Sequence, residues 1–183
     1  MKKVSIFLVA AMMVAAFTDA HGANATSLTT ERVMTMTTTA QSVTVGLFGS
    51  GTAMIDWGDG SQQEIVELSD NANALPTTDS DFVEVSRLFS NKNQRQITIT
   101  GANIMGFDCS DNQLTNLDVT QNIALRDLSC FSNQLTELDV SQNIGLLVLY
   151  CFDNQLIALD VSQNTMLITM DTGINQLTIL DLS

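Results

Sequence analysis

The chain has 183 residues, seven Lys or Arg against twenty Asp or Glu, and a formal net charge of −13. A chain this acidic lacks the basic footprint that a phosphate backbone requires, so nucleic acid is excluded as a partner and a basic or cationic one is favoured. Its one histidine, His21, falls in an N-terminal leader, which removes Ser-His-Asp and Cys-His catalysis and every His-containing zinc site from the mature chain.

Lys2 and Lys3 precede an apolar run from Val4 to Phe17, followed by small and polar residues ending in Ala23-Asn24-Ala25. A charged start, an apolar stretch short for a membrane span and an AxA site predict a secretory signal peptide over residues 1–25 and a secreted or cell-surface protein. An uncleaved anchor is the alternative reading. No cysteine closely follows the apolar run, which argues against lipid attachment, and no later segment is apolar enough to span a membrane. Cleavage takes away Lys2, Lys3 and Asp19 and leaves five basic and nineteen acidic side chains. After Arg126 there is no Lys or Arg at all.

Strands are predicted over Val33–Thr39, Val43–Phe48, Ala53–Trp57, Glu64–Leu68, Phe82–Phe89 and Ile97–Thr100, where β-branched and alternating apolar residues are separated by Gly, Ser, Asp and Asn. The segment Asn71–Ser80, which holds the only proline, Pro76, reads as a loop. A small β-sandwich or β-rich cap over residues 28–100 is expected. Its landmark is Ile55-Asp56-Trp57-Gly58-Asp59-Gly60-Ser61, whose glycines and aspartates suit a tight turn. A WGDG turn between strands resembles the polycystic-kidney-disease (PKD) type of immunoglobulin-like domain, and the resemblance implies a spacer or binding accessory. Asp56 and Asp59 have two readings: ligands to Ca²⁺ together with backbone carbonyls, or acceptors that close the turn. Two acids fall short of the six to eight oxygens that Ca²⁺ takes, which favours the turn.

Beyond Gly101 the chain repeats. Cys109, Cys130 and Cys151 lie twenty-one residues apart, as do Asn112, Asn133, Asn154 and Asn175, and Asp118, Asp139, Asp160 and Asp181. The unit LxxLxCxxNQLxxLDVSxN runs from Leu125 to Asn143 and again from Leu146 to Asn164, with about 3.5 repeats over residues 101–183. A fixed short period signals a solenoid, and stacked repeats display extended faces instead of closing a catalytic pocket. Both halves of the unit share one template, so each coil should carry two short strands. The Gln96–Gly101 strand runs into the array without a linker, which predicts one rigid body. The fold class expected is mostly β: an N-terminal sandwich-like module followed by a short solenoid with parallel strands.

Over residues 97–183 this pattern resembles the leucine-rich repeat family, and within it the 21-residue cysteine-ladder class of internalin J-like exported bacterial proteins. The resemblance implies a parallel sheet along one face, protein-protein binding and adhesion, without naming a ligand.

Strand alternation sorts the repeat positions. Leu128, Cys130, Leu138 and Val140 should point inward, and the asparagines should bond the backbone of adjacent coils as structural ladders. The cysteines read as buried small hydrophobes; one bridge between neighbouring coils is the alternative, and three thiols cannot all pair. Asp118, Asp139, Asp160 and Asp181 should stack outward, each followed two residues later by a hydroxyl, as a solvated ladder or, alternatively, a cation stripe centred on Asp139 and Asp160. The outward row of the first strand varies instead: Asp108, Ser129, Tyr150 and Asp171, flanked by Ser110, Phe131, Phe152 and Gly173. Exposed aromatics are enriched at protein contacts, so Tyr150, with Phe131, Phe152, Asp108, Ser129 and Asp171, forms the candidate ligand contact.

No nucleophile with a base beside it is found, so the chain reads as a non-enzyme needing no cofactor. The leading expectation is a secreted or surface binding module for a protein or glycan. The alternatives are a structural spacer or truncated fragment of a larger surface protein, associating end to end through an uncapped last repeat, and a cation-binding module.

Overall fold

The structure is a computed structural model that describes residues 31–68 and 81–183. The predicted leader and the predicted Asn71–Ser80 loop lie outside the described residues. Six strands precede the repeat: β1 (Arg32–Thr38), β2 (Ser42–Gly49), β3 (Thr52–Asp56), β4 (Glu64–Glu67), β5 (Val83–Leu88) and β6 (Arg95–Gly101). Each coincides with a segment expected from alternation, to within two residues at either end.

The repeat contributes β7 (Ile104–Asp108), β8 (Leu114–Asp118), β9 (Asp127–Ser129), β10 (Val148–Tyr150), β11 (Ala158–Asp160), β12 (Thr169–Asp171) and β13 (Ile179–Asp181). Strands β7, β9, β10 and β12 are the first strands of successive coils and pair in parallel with no shift between equivalent ladder positions: Phe107, Leu128, Leu149 and Met170 lie side by side. Short strands suffice because each coil closes through turns, and the inter-coil bonds continue past the strands, from the Cys130 N–H to the Tyr150 carbonyl and from the Cys151 N–H to the Asp171 carbonyl. The second strands are less regular. Strands β11 and β13 pair in parallel, β8 pairs elsewhere, and Glu137–Asp139 of the second coil is not a strand.

The module and the coils share both large sheets. In one, the order is β4-β3-β6-β1-β8, so the second strand of the first coil lies antiparallel to β1. In the other, the order is β12-β10-β9-β7-β2-β5, so the column of first strands runs on into β2 and β5. The Gln96–Gly101 segment, expected to run into the first coil without a linker, sits centrally in the first sheet between β3 and β1, and the chain passes within three residues to β7, between β2 and β9 in the second sheet. One buried core fills the space between the sheets, from Met34, Val45, Ile55 and Trp57 through Phe107 and Leu128 to Leu149 and Leu156. Burial of this apolar surface is the main driving force, at roughly 25 cal/mol per Å² removed from water.

Candidate functional site

The asparagine ladder shows why the coils stack in register. Asn133 Oδ1 accepts the N–H groups of Asn112 and Leu114, at 3.1 and 2.9 Å. Its Nδ2 donates to the carbonyls of Cys109, Cys130 and Phe131. Asn154 and Asn175 repeat this one and two coils later, accepting from Leu135 and Leu156. The first rung works differently. Asn112 Oδ1 accepts the Thr44 N–H at 3.0 Å and Nδ2 donates to the Thr44 carbonyl at 2.6 Å, so β2 of the module occupies the place of a preceding coil. Just before each of these asparagines the backbone is left-handed, at Asp111 (φ 58), Ser132 (φ 51), Asp153 (φ 55) and Ile174 (φ 50). A second column, Asn122, Asn143 and Asn164, keeps the same step, and its last two members close the two copies of the repeat unit in the sequence. Asn143 and Asn164 donate to carbonyls of the previous coil, and all three Oδ1 atoms are buried without a partner among the described residues.

Cys109, Cys130 and Cys151 are free and buried, one per coil. Burial pushes the thiols of Cys109 and Cys130 well above their usual range, and that of Cys151 up to about 12, so none is a ready nucleophile or metal ligand. The column is an internal scaffold made of sulfur. A solved structure with the same feature is similar to this chain. It is the functional domain of InlJ from Listeria monocytogenes, described as including a cysteine ladder. The identity is 44% over 43% of this chain, with a TM-score of 0.43. The match spans 18% of the length of that chain. No family model and no curated protein matches the sequence.

The outer face of the six-stranded sheet carries the predicted contact row. Tyr150 is partly exposed and Asp171 exposed, on neighbouring strands and directly paired in register. Asp108 is half-buried, and its Oδ1 accepts the Ser110 N–H at 2.9 Å. Ser129, expected to face outward, keeps only 9% of its surface exposed because the flanking strands crowd a short side chain. Phe131 and Phe152, both half-buried, stack on each other, centroids 4.6 Å apart and planes 5° from parallel. Asp127, two residues before Ser129 and therefore on the same face, belongs to the site although the consensus unit gave it no role. Desolvation, with Asp108 adding repulsion, pushes its carboxyl up to about 6.

The module extends this face. Phe82 lies against Phe48, centroids 6.1 Å apart, and covers Gly46 and Gly106. Between Phe82 and Phe131 a concavity of about 240 Å³ opens, with Glu84, Asp108, Ser110 and Asp111 on its lining. Antiparallel pairing of β2 with β7 creates it, and no repeat position announces that pairing.

The second row is more uniform. Asp118, Asp139, Asp160 and Asp181 each accept the backbone N–H two residues later at 2.9 Å. With Glu137 three of them, Asp118, Asp139 and Asp160, line a shallow groove of about 780 Å³. At the WGDG turn, Asp56 accepts the Gly58 N–H and Asp59 the Ser61 N–H, each at 2.9 Å. Hydrogen bonds from Ser61 and the Arg87 guanidinium, 2.9 Å away, bring Asp59 down to about 2. Among the described residues, no group of three His, Cys, Asp or Glu is gathered in a metal-binding arrangement. In the last coil, Leu180 and Leu182 are 41% and 65% exposed where Leu159 and Val161 of the coil before are buried.

Proposed function

We propose that the protein is an exported, surface-acting binding module that holds a protein ligand on the outer face of its six-stranded sheet. One observation carries the reading: the outward row Asp108, Ser129, Tyr150 and Asp171 changes from coil to coil, while the asparagine and cysteine columns that hold the coils together repeat from Asn112 to Asn175 and from Cys109 to Cys151. Side chains that hold coils together must match their neighbours, and those that meet a ligand need not. The stacked Phe131–Phe152 pair beside Tyr150 supplies rigid aromatic area, which anchors protein contacts at low entropic cost. The leader supports export, the PKD-like reading of the module supports an accessory that positions the face, and the internalin-like resemblance supports adhesion as the setting.

The test is a binding screen against extracellular matrix proteins and glycans, followed by Tyr150→Ala and Asp171→Ala variants. At least a tenfold loss of affinity, with thermal stability unchanged within about 0.5 kcal/mol, is the expected result for partly exposed contact residues. Unchanged affinity in both variants would remove this face from the function. Failure of every ligand, together with self-association in sedimentation, would favour the structural-spacer role. A melting temperature that rises with Ca²⁺ in the parent but not in an Asp139→Asn, Asp160→Asn variant would favour the cation-binding role.

A further inference from the structure

We propose that the concavity between Phe82 and Phe131 takes a cationic side chain of the protein ligand, a lysine ammonium or an arginine guanidinium. This rests on the binding-face reading above and names the chemistry of one contact within it.

The shape comes first. Gly46 of β2 pairs with Asp108 of β7, and a Cβ added there would stand 3.2 Å from both the Asp108 Cβ and the Phe82 ring. Glycine therefore keeps the floor low. Phe152 covers one face of the Phe131 ring, which leaves the opposite face toward the coil that carries Ser110. At the equivalent place in that coil stands a serine, too small to close the gap. The result is a slot between two aromatic rings, at the β2–β7 junction of module and repeat.

The charges around it have one sign. Glu84, Asp108 and Asp111 line the slot and no Lys or Arg does. Asp108 uses Oδ1 on the Ser110 N–H. The Ser110 hydroxyl is buried with no partner among the described residues. Each occupant class meets this lining differently. A divalent cation wants six to eight oxygens, and aromatic walls deny it half of its coordination sphere. A neutral sugar offers hydroxyls that need donors as well as acceptors, and three of the five polar lining side chains, Glu84, Asp108 and Asp111, can only accept. An ammonium or guanidinium brings only donors, is drawn to aromatic faces by the ring quadrupole, and is neutralised by carboxylates at the rim.

The experiment is an NMR titration of the purified protein with N-acetyl-lysine amide and N-acetyl-arginine amide, and with N-acetyl-methionine amide and N-acetylglucosamine as uncharged probes. The cationic probes should shift the amides of Gly46 and Ser110 with millimolar affinity, weakened about fivefold between 25 and 250 mM NaCl. A Glu84→Gln, Asp108→Asn, Asp111→Asn variant keeps the side-chain acceptors, and Asn tolerates the left-handed backbone of residue 111; it should bind at least tenfold more weakly. Phe131→Ser, which installs the residue found one coil earlier, should cost about threefold. Cationic probes that shift no lining amide, uncharged probes that bind as well, or a triple variant that binds as the parent does would each overturn the proposal. If the triple variant still holds the protein ligand while Tyr150→Ala does not, this contact falls and the binding face stands. If neither substitution affects the ligand, both fall.

Discussion

The N-terminal module and the coils continue the same two sheets yet hold their strands by different means. In the module, strands of four to eight residues pair antiparallel and bury large side chains such as Phe48, Trp57, Ile97 and Ile99 between them. In the coils after the first, strands of three residues run parallel, and side-chain amides bridging one coil to the next do much of the holding. The difference teaches that a repeat with short strands depends on single polar residues to a degree that a sandwich does not. A core hydrophobe lost from the module leaves neighbours to relax; an asparagine lost from a rung strands several backbone groups at once.

The sharpest break follows from that. Replacing Asn133 by Ala removes the acceptor of two buried N–H groups and the donor to three carbonyls, and should lower unfolding stability by about 3 kcal/mol or more, measured by urea denaturation. Asn112→Ala aims at the junction. In the parent, fluorescence of the single Trp57 and far-UV dichroism should report one transition; the variant, without the two hydrogen bonds to Thr44, should separate them.

Smaller effects sharpen the comparison. Asp127 has a folded pKa of about 6, above the ordinary carboxylate value of 3.8, so the folded state binds its proton more tightly than the unfolded state. Stability should therefore rise as pH falls from 7 through 6 toward 4. Because the group is partly solvated the gain is about 1 kcal/mol, and Asp127→Asn should flatten the profile over this window. Asp59, held near 2 by Ser61 and Arg87, acts in the opposite sense and only below pH 4. Ile174 is a β-branched, exposed residue in a left-handed conformation where Asp111 and Asp153 stand in other coils. Ile174→Asn should stabilise the last coil by about 1 kcal/mol, read as a rise in melting temperature. The thiols supply the least perturbing check: a disulfide exchange reagent at pH 8 should leave all three cysteines unmodified until denaturant is added.

Much of this was legible in the sequence because two periods dominate it. Alternation placed the six module strands, and the 21-residue step placed the coils, the sulfur column and the inward leucines. Pairing across the junction was not legible: nothing local to Thr44 or Gly46 tells that β2 runs beside β7. The candidate site was half legible for the same reason. Tyr150 and Asp171 stand out as departures from the consensus, whereas Phe82 reaches the face only through the β2–β5 pairing. Asp127 was readable from alternation alone, two residues before Ser129, but its position holds Gly106, Val148 and Thr169 in the other coils and so carries no recurring signal.

Thr44 receiving the first asparagine rung has a consequence for how such a chain can vary. The module is a fixed starting block: only the first coil pairs strands with it, and the second coil adds Phe131 to the slot beside Phe82. Coils beyond the second can therefore be gained or lost in whole units of twenty-one residues without refitting the module. Each unit lengthens the outer face by one strand spacing of about 4.8 Å. The reach of the protein is in this sense a number counted in coils, while the slot at its base stays the same at any length.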